Sequence, residues 1–280
     1  MRPVGEFGLS TYVLDQGHPG ERARLQTMAR EWDPGTMQVV SALGISAGHH
    51  CLEVGAGAGS IAQALAEVTG PQGHVLAVDR DVRFLDELPA GIEVRCLDVM
   101  VDDLPQEEFD LVHARLLVAH LHPHRHALRR LAAAVAPGGW LLVEEVDWTC
   151  ADLVVPTAPI HTAMVRALQQ LMGERGGFDA TYGRRLLGDV LSLGLADVSA
   201  QYRGAQARST SQSWVAWQLL VEQFQQGILQ AGLMTQQEVD EWWSLTRDEG
   251  NLLVGVTMFA VQARRPDGGT WLPGLAAAQD

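Results

Sequence analysis

Short apolar runs alternate along this chain with stretches whose apolar residues recur at helical spacing. Five of the runs are rich in aliphatic residues and predict buried strands, which lie near residues 50–55, 73–79, 92–98, 109–113 and 139–146. Strands that alternate with helices are typical of βαβ units. Because the crossovers of such units are right-handed, the pattern predicts a doubly wound, mostly parallel α/β sheet.

Helices are predicted before and after this alternating region. Residues 21–32 predict a helix that ends at Asp33-Pro34, and residues 36–43 predict a second one. Later, two further strands are predicted near 198–202 and 255–262. The chain between the fifth strand and the last is longer than a bare sheet requires, which predicts an added helical cap.

The cap segment carries its own helix signals. Apolar residues recur every three or four positions from Trp214 to Ile228 and predict one apolar helix face. Thr235 and Glu238 have the spacing of a capping box, which predicts that a helix begins there. A helix is also predicted over 182–193, before Gly194.

A glycine-rich segment follows the first predicted strand. Gly55, Gly57 and Gly59 alternate with small residues, directly after Glu53. Glycines at a strand-to-helix turn allow positive φ angles and a close approach of the backbone to a ligand. Asp79 ends the next predicted strand, where a carboxylate can accept from both hydroxyls of a ribose. Together they predict a site for a nucleoside-bearing cofactor.

These motifs and those that follow resemble the class I S-adenosylmethionine-dependent methyltransferases, in the same order. Residues 53–59 resemble the first motif, 78–80 the ribose acid, and 96–99 the strand end that binds adenine. Residues 109–115 resemble the fourth strand, and 131–144 the helix, Pro-Gly-Gly turn and fifth strand. The resemblance implies S-adenosyl-L-methionine as cofactor, and it names no methyl acceptor.

The resemblance is close over residues 50–147 and implies a Rossmann-like sheet of seven strands, with an N-terminal helical lid and a C-terminal helical cap. The residues that it places at the cofactor are Glu53, Gly55, Ala56, Gly57, Gly59, Asp79, Arg80, Asp98, Val99 and His113. Tyr12 is expected to fold over the cofactor as part of the lid. His113 is equally compatible with a buried histidine whose hydrogen bonds are satisfied.

The predicted organisation has five parts. They are an N-terminal helical lid (1–45), a cofactor-binding core (46–205), a helical substrate cap (206–250), the final strand (251–265) and a tail (266–280). Two predicted cap helices carry four tryptophans, Trp214, Trp217, Trp242 and Trp243, which could line a pocket for a flat, largely apolar acceptor. The residues assigned to this pocket are Trp148, Trp214 and Trp217. The alternative is that the tryptophans of the cap are ordinary core residues.

Methyl transfer from a sulfonium depends mainly on alignment and exclusion of water, and a hydroxyl acceptor also requires removal of a proton. His120 is one candidate base, because in the family the stretch after the fourth strand lies at the mouth of the active site. An unperturbed imidazole titrates at about pH 6.5. Glu145 and Asp147 are rival bases, since they lie at the carboxyl end of the fifth strand.

The run of histidines from His120 to His126 predicts no metal site. Pro123 interrupts helical pairing within the run, and no acidic or thiol ligand accompanies the imidazoles. The three cysteines, Cys51, Cys96 and Cys150, are scattered and indicate reduced interior thiols.

Composition restricts the partners and the location. A formal charge of −14 with no basic stripe argues against nucleic acid or an anionic membrane as partner. Neither a membrane span nor a signal-peptide core is visible, which predicts a cytoplasmic protein with a small-molecule acceptor. The oligomeric state stays open, a homodimer included.

Two other functions remain open. The first is an NAD(P)-dependent oxidoreductase, which shares the Rossmann-like turn. The third glycine of the oxidoreductase fingerprint would fall at Ser60. A Tyr-x-x-x-Lys proton relay is excluded because the chain has no lysine. The second is a non-catalytic S-adenosylmethionine-binding protein, against which the large apolar cap argues.

Overall fold

The computed structural model describes residues 17–208 and 211–268. Tyr12, most of the segment 1–20 and most of the predicted tail lie outside these residues. The helices of the described part are α1 (Glu21–Ala42), α2 (Ser60–Thr69), α3 (His124–Ala134), α4 (Pro159–Gly176), α5 (Gly183–Leu191), α6 (Gln212–Gln230) and α7 (Gln236–Arg247).

The strands form one sheet. They are β1 (His50–Val54), β2 (His74–Asp79), β3 (Ile92–Cys96), β4 (Phe109–Arg115), β5 (Val135–Asp147), β6 (Val154–Val155), β7 (Ala196–Arg208) and β8 (Leu252–Arg264). Strands β1 to β5 are parallel in the order β3-β2-β1-β4-β5, and β8 lies antiparallel between β5 and β7. The doubly wound, mostly parallel α/β fold is confirmed.

The described sheet has eight strands, where seven were expected. The extra strand is β6, a two-residue segment that pairs antiparallel with the start of β8. Strand β5 pairs with β8 only from Thr257 onward, which leaves Leu252 and Leu253 free to pair with β6 on the same side. On this side of β8, β6 therefore pairs with its first residues and β5 with its later ones.

Both faces of the sheet are buried, which explains why its central strands have continuous apolar runs instead of alternating ones. Cys51 and Val75 point to the face covered by α2 and the second half of α1. Leu52 and Leu76 point to the opposite face, whose core includes α3, α5 and the cap. The sheet therefore separates two hydrophobic layers.

Helix α1 is a single helix, so the predicted break at Asp33-Pro34 is wrong. A proline inside a helix removes one backbone hydrogen bond and crowds the preceding turn. Contacts with the sheet hold the helix on both sides of Pro34: the Arg115 guanidinium binds the Asp33 carboxylate at 2.6 Å, and the Thr36 hydroxyl binds Glu144. These tertiary contacts outweigh the local signal.

The cap is inserted between β7 and β8. The capping box at Thr235 and Glu238 is confirmed, and α7 begins directly after it. The Ser211 hydroxyl caps α6 by accepting from the N–H of Trp214. Helix α6 packs against α1 and α4, so the cap and the first helix cover the same end of the sheet.

Two further findings concern membrane-spanning helices and the cysteines. Within the described ranges, no helix is both long and apolar enough to cross a bilayer. All three cysteines are free thiols, but only Cys51 is buried. Cys96 and Cys150 are exposed, so their expected interior position is wrong.

Candidate active site

A cavity of about 610 Å³ lies at the carboxyl ends of β1, β2 and β4, beneath α1 and α6. One part of its wall is the glycine-rich turn between β1 and α2. The opposite part is built from the loop after β5, the α4–α5 loop, α6 and the start of β8. The cavity is therefore continuous from the predicted cofactor turn to the cap.

The turn has the backbone conformation that its glycines predict. Gly55, Gly57 and Gly59 have φ angles of +76°, +56° and +80°, a region that residues with a Cβ rarely adopt. The N–H groups of Gly55 and Ala56 donate to the carbonyl of Val78 at 2.8 and 3.1 Å. These bonds fix the turn against the end of β2.

Asp79 joins that turn to β2. Its carboxylate accepts from the N–H of Gly57 at 2.8 Å and from the N–H of Asp81 at 3.0 Å. Burial raises the pKa of Asp79, although the backbone hydrogen bonds oppose this shift. Asp79 lines the cavity beside Gly57, where a ribose would meet it.

The adenine side of the predicted site is built from the ends of β2 and β3. Arg80 and Val99 line the cavity, whereas Asp98 does not. Asp98 lies behind them: its carboxylate is 3.4 Å from the Arg80 guanidinium and accepts from the N–H of Met100 at 2.9 Å. In this arrangement Asp98 orients Arg80. Gly59 also lies behind the wall, as the N-cap of α2.

His113 lies below the cavity, between two carboxylates. Its Nδ1 is 2.5 Å from Glu53 and its Nε2 is 3.2 Å from Glu144. Burial alone would lower the pKa of His113, but the neighbouring Glu53 and Glu144 raise it to about 9. Of these three residues, only Glu53 lines the cavity.

The half of the cavity away from the glycine turn has aromatic walls. Trp148 packs edge-on against Trp217 and Phe178, with ring centroids 4.9 and 5.4 Å apart. His120 stacks on Phe178, with centroids 4.7 Å apart and planes inclined by 28°. Sequence reasoning missed Phe178, because a single aromatic residue in a loop carries no periodic signal.

His120 belongs to this aromatic half, because it lines the cavity and stacks on Phe178. Burial, together with the smaller effects of the charges of Arg24 and His122, lowers the pKa of His120 to about 3. The imidazole is therefore neutral at pH 7, and the expected ionisation near pH 6.5 is wrong. A neutral imidazole remains able to accept a proton, with a smaller driving force than an unperturbed histidine.

Trp214 does not share the position of Trp217. It is fully buried in the cap, where its indole N–H donates to the carbonyl of Thr246 at 3.0 Å and its ring lies near Trp242. Trp214 does not line the cavity, because α6 turns it toward α7. The structure therefore differs from the sequence prediction at Trp214 and agrees with the alternative of an ordinary core residue.

Glu145, one of the two rival bases, does not line the cavity. One oxygen of Glu145 accepts from the N–H groups of Leu117, Val118 and Ala119, at 2.9, 2.6 and 3.3 Å. These bonds hold the 3-10 turn that presents His120. Burial raises the pKa of Glu145 to about 8, so the side chain is mainly protonated at pH 7.

Asp147 does not line the cavity either. Its carboxylate binds the Arg184 guanidinium, at 2.5 and 3.1 Å, and accepts from the N–H of Thr149 at 2.8 Å. The structure therefore differs from the sequence prediction for both rival bases. Strand ends place both residues near the site, but their side chains bind backbone and arginine partners away from the cavity.

Within the described residues, no three His, Cys, Asp or Glu side chains, those of the histidine run included, are arranged so that they could hold a metal ion. His122 contacts the carbonyl of Gly177 at 2.5 Å, and His124 contacts the carbonyl of Val118 at 2.9 Å. The rings of His122 and His124 lie 4.4 Å apart. Both side chains connect loops around the site.

Helix α1 supplies an ion pair that the sequence did not reveal. Glu21 and Arg24 form two hydrogen bonds, at 2.8 and 2.7 Å, and both residues are buried and line the cavity. Two charges three positions apart are usually an exposed helix pair, so the sequence carried no sign of burial. Leu25, Met28 and Trp32 add the apolar part of this wall.

Comparison with known proteins identifies the family. A family model described as "Methyltransferase domain" matches residues 25–190. The methyltransferase str2 of Strobilurus tenacellus is 35% identical over 137 residues, which cover 48% of this chain and 49% of that protein. The chain spans about half the length of curated relatives that it matches, the methyltransferases str2 and str3.

Solved structures share the fold at low identity. A Haemonchus contortus phosphoethanolamine N-methyltransferase in complex with S-adenosylhomocysteine aligns with a TM-score of 0.52 and 15% identity, covering 84% of this chain and 53% of its own. The cyclase SpnF aligns with a TM-score of 0.53 and 19% identity, covering 84% and 82%. These likenesses concern the fold alone.

Glu145→Gln should make the free energy of unfolding less dependent on pH. The pKa of Glu145 is raised from 4.5 to about 8, so the folded state favours the protonated acid. The resulting stabilisation is complete below pH 4.5 and is lost as pH rises through about 8. Glutamine has no such titration. Urea unfolding at a series of pH values measures the difference between wild type and variant.

The wild type should lose stability relative to Glu145→Gln as pH rises across this range. Glu241→Gln, at an exposed position of α7, is the control and should keep the pH dependence of the wild type. A stability difference between wild type and Glu145→Gln that stays constant from acid to mildly alkaline pH would contradict the raised pKa.

Proposed function

Since this chain belongs to the class I S-adenosylmethionine-dependent methyltransferases, we propose that it transfers a methyl group to an O, N or C atom of a small, largely apolar or aromatic metabolite. The observation that carries the proposal is the continuous cavity, which joins the glycine turn and Asp79 to the walls formed by Trp148, Trp217 and Phe178. Flat acceptors are typical of tailoring reactions in specialised metabolism, and we propose that setting.

The residues at the glycine turn fit S-adenosylmethionine. A Cβ at Gly57 would meet only Leu25, at 3.6 Å, so the space in front of the turn is open to a ligand. Asp79 would accept from the ribose hydroxyls, and Arg80 and Val99 would flank the adenine. Glu53, at the opposite end of the turn, would face the amino-acid end of the cofactor.

When bound, S-adenosylmethionine supplies an electrophilic methyl group on a good leaving group. The chain has to align the acceptor with that methyl group and to exclude water, tasks that need few catalytic side chains. We assign alignment to the aromatic walls, and exclusion of water to α1 and α6 as lid and cap. For a hydroxyl acceptor, His120 is the base that we propose, because it lines the cavity and stacks on the aromatic wall at Phe178.

Turnover is tested with purified protein, S-adenosylmethionine and a panel of flat phenols, arylamines and electron-rich carbocycles. Formation of S-adenosylhomocysteine that depends on the acceptor supports methyl transfer. Cofactor binding without turnover on any acceptor of the panel would favour a non-catalytic binding protein. Mass spectrometry of the ligand retained after purification separates both outcomes from a nicotinamide-dependent enzyme.

Gly57→Val should lower the affinity for S-adenosylhomocysteine by at least about a hundredfold, because the branched side chain fills the approach of the ligand and strains the backbone. Gly44→Val is the matched control. Gly44 has a φ of +81° and lies at the end of α1, and a Cβ at this position would have no neighbouring atom within 4 Å. Calorimetry measures both variants, together with their thermal unfolding.

Both variants should lose stability, and only Gly57→Val should lose the ligand. Equal affinity in the two variants would mean that the glycines serve turn geometry alone.

Trp217→Leu should raise the KM for an aromatic acceptor by about tenfold, because it removes an aromatic wall of the cavity. The dissociation constant of the cofactor should stay unchanged. Trp214→Leu, in the same helix but away from the cavity, should lower the melting temperature with little effect on that KM. Steady-state kinetics with one acceptor measure both, and equal KM values for the two variants would remove Trp217 from the acceptor site.

His120→Phe should lower kcat for a hydroxyl acceptor by about 10², while its ring keeps the stacking on Phe178. Because the pKa of His120 lies at about 3, the base is available at every pH above that value. The ratio of wild-type to variant kcat should therefore be constant between about pH 5 and 8. A ratio that falls toward pH 5 would show an ordinary histidine pKa, and a ratio near one would exclude the base role.

A further inference from the structure

A fully buried histidine connects three strands of the sheet below the cavity. The imidazole of His113 touches Glu53 through Nδ1 and Glu144 through Nε2. An ionised carboxylate only accepts hydrogen bonds, and a neutral imidazole has one N–H. Both ring nitrogens can therefore donate to ionised carboxylates only when each of them carries a proton.

The charges around His113 favour this doubly protonated form. Arg203, on β7, binds the Glu144 carboxylate, and the Thr36 hydroxyl binds it from α1. Arg115 lies on the strand of His113 and binds Thr36 at 3.0 Å. Burial would raise the pKa of Glu144, but His113 and the arginines lower it to about 2. Glu144 thus stays ionised and holds one side of the imidazole.

The other side of the imidazole faces Glu53, the member of this group that lines the cavity. Glu53 and His113 are direct partners in the register of β1 and β4, so their side chains project from the same face of the sheet. Glu53 lines the cavity beside Gly55, whereas His113 and Glu144 lie behind it. Any effect of His113 on a ligand therefore passes through Glu53.

We propose that His113 is a positioning residue, an imidazolium that holds the Glu53 carboxylate aimed at the ammonium group of the cofactor's amino-acid end. Glu144 fixes the ring from the opposite side, and its ties to Arg203 and Thr36 anchor the assembly to the edge strand and to α1. The inference rests on the proposed function, because it needs the cofactor at the glycine turn.

Two ligands separate this role from a general structural one. S-adenosylhomocysteine carries the ammonium group, and 5′-methylthioadenosine lacks the amino-acid end but keeps the adenosine. His113→Gln removes the ring nitrogen that faces Glu53. It should weaken S-adenosylhomocysteine binding by roughly tenfold to a hundredfold, and 5′-methylthioadenosine binding by less than about threefold. Calorimetry measures both dissociation constants.

Matched variants sharpen the comparison. His113→Asn places an amide near the position of Nδ1 and should lose less affinity for S-adenosylhomocysteine than His113→Gln. His161→Asn is the control for loss of a buried histidine. His161 lies on α4, where its ring accepts from the indole N–H of the cap residue Trp242 at 3.2 Å. This variant should lose thermal stability and bind both ligands as the wild type does.

A second measurement uses the unaltered protein, in case the His113 variants do not fold. Nitrogen-15 NMR of labelled histidine, with the ring assigned through its backbone, should show both nitrogens of His113 protonated at pH 7.5. A neutral ring would overturn the inference, and so would equal losses for the two ligands in a folded His113→Gln. Wild-type protein that binds neither ligand would overturn the proposed function and this inference with it.

Discussion

The interaction on which the site depends is the contact of one buried imidazole with two carboxylates at the centre of the sheet. Moving an ion out of water costs several kcal/mol, and a buried pair repays this only when its hydrogen bonds are complete. Glu53, His113 and Glu144 meet that condition because Arg203 and Thr36 complete the outer side. Gly35 makes room for Arg203, since a Cβ there would lie 2.6 Å from its guanidinium. Helix α1, strand β7 and the glycine turn are thus connected through this one group of charged residues.

The glycine-turn half of the cavity, where we propose that the cofactor binds, could be predicted because its residues follow one another along the chain. The turn from Gly55 to Gly59 and the acid at Asp79 are fixed by local geometry, since parallel strands end at the same edge of the sheet. The fold class and the capping box at Thr235 were predictable for similar reasons. Each depends on spacing within a few residues or on rules that hold for all right-handed crossovers.

The aromatic half of the cavity could not be predicted, because its walls come from segments far apart in sequence. Phe178 and Trp217 meet only after α4 and α6 have packed, and the spacing on α6 does not distinguish Trp217 from the buried Trp214. The rival base Glu145 is directed away from the cavity by three N–H groups of the turn after β4, which sequence patterns do not show. Likewise, Pro34 ended a helix in the prediction but not in the fold.

The place where the cap joins the sheet has a consequence for how such proteins can diversify. Arg208, at the end of β7, pairs with Leu252, at the start of β8, so the two ends of the insertion are neighbours across a single strand spacing. A segment whose ends already touch can be exchanged for a longer or shorter one with little loss of chain entropy and no change of strand register. The inserted helices α6 and α7, with Trp217 on α6, therefore form a segment that can be exchanged as a unit. Under the proposed function, an exchange at these two points would change the acceptor walls and leave the glycine turn and Asp79 intact.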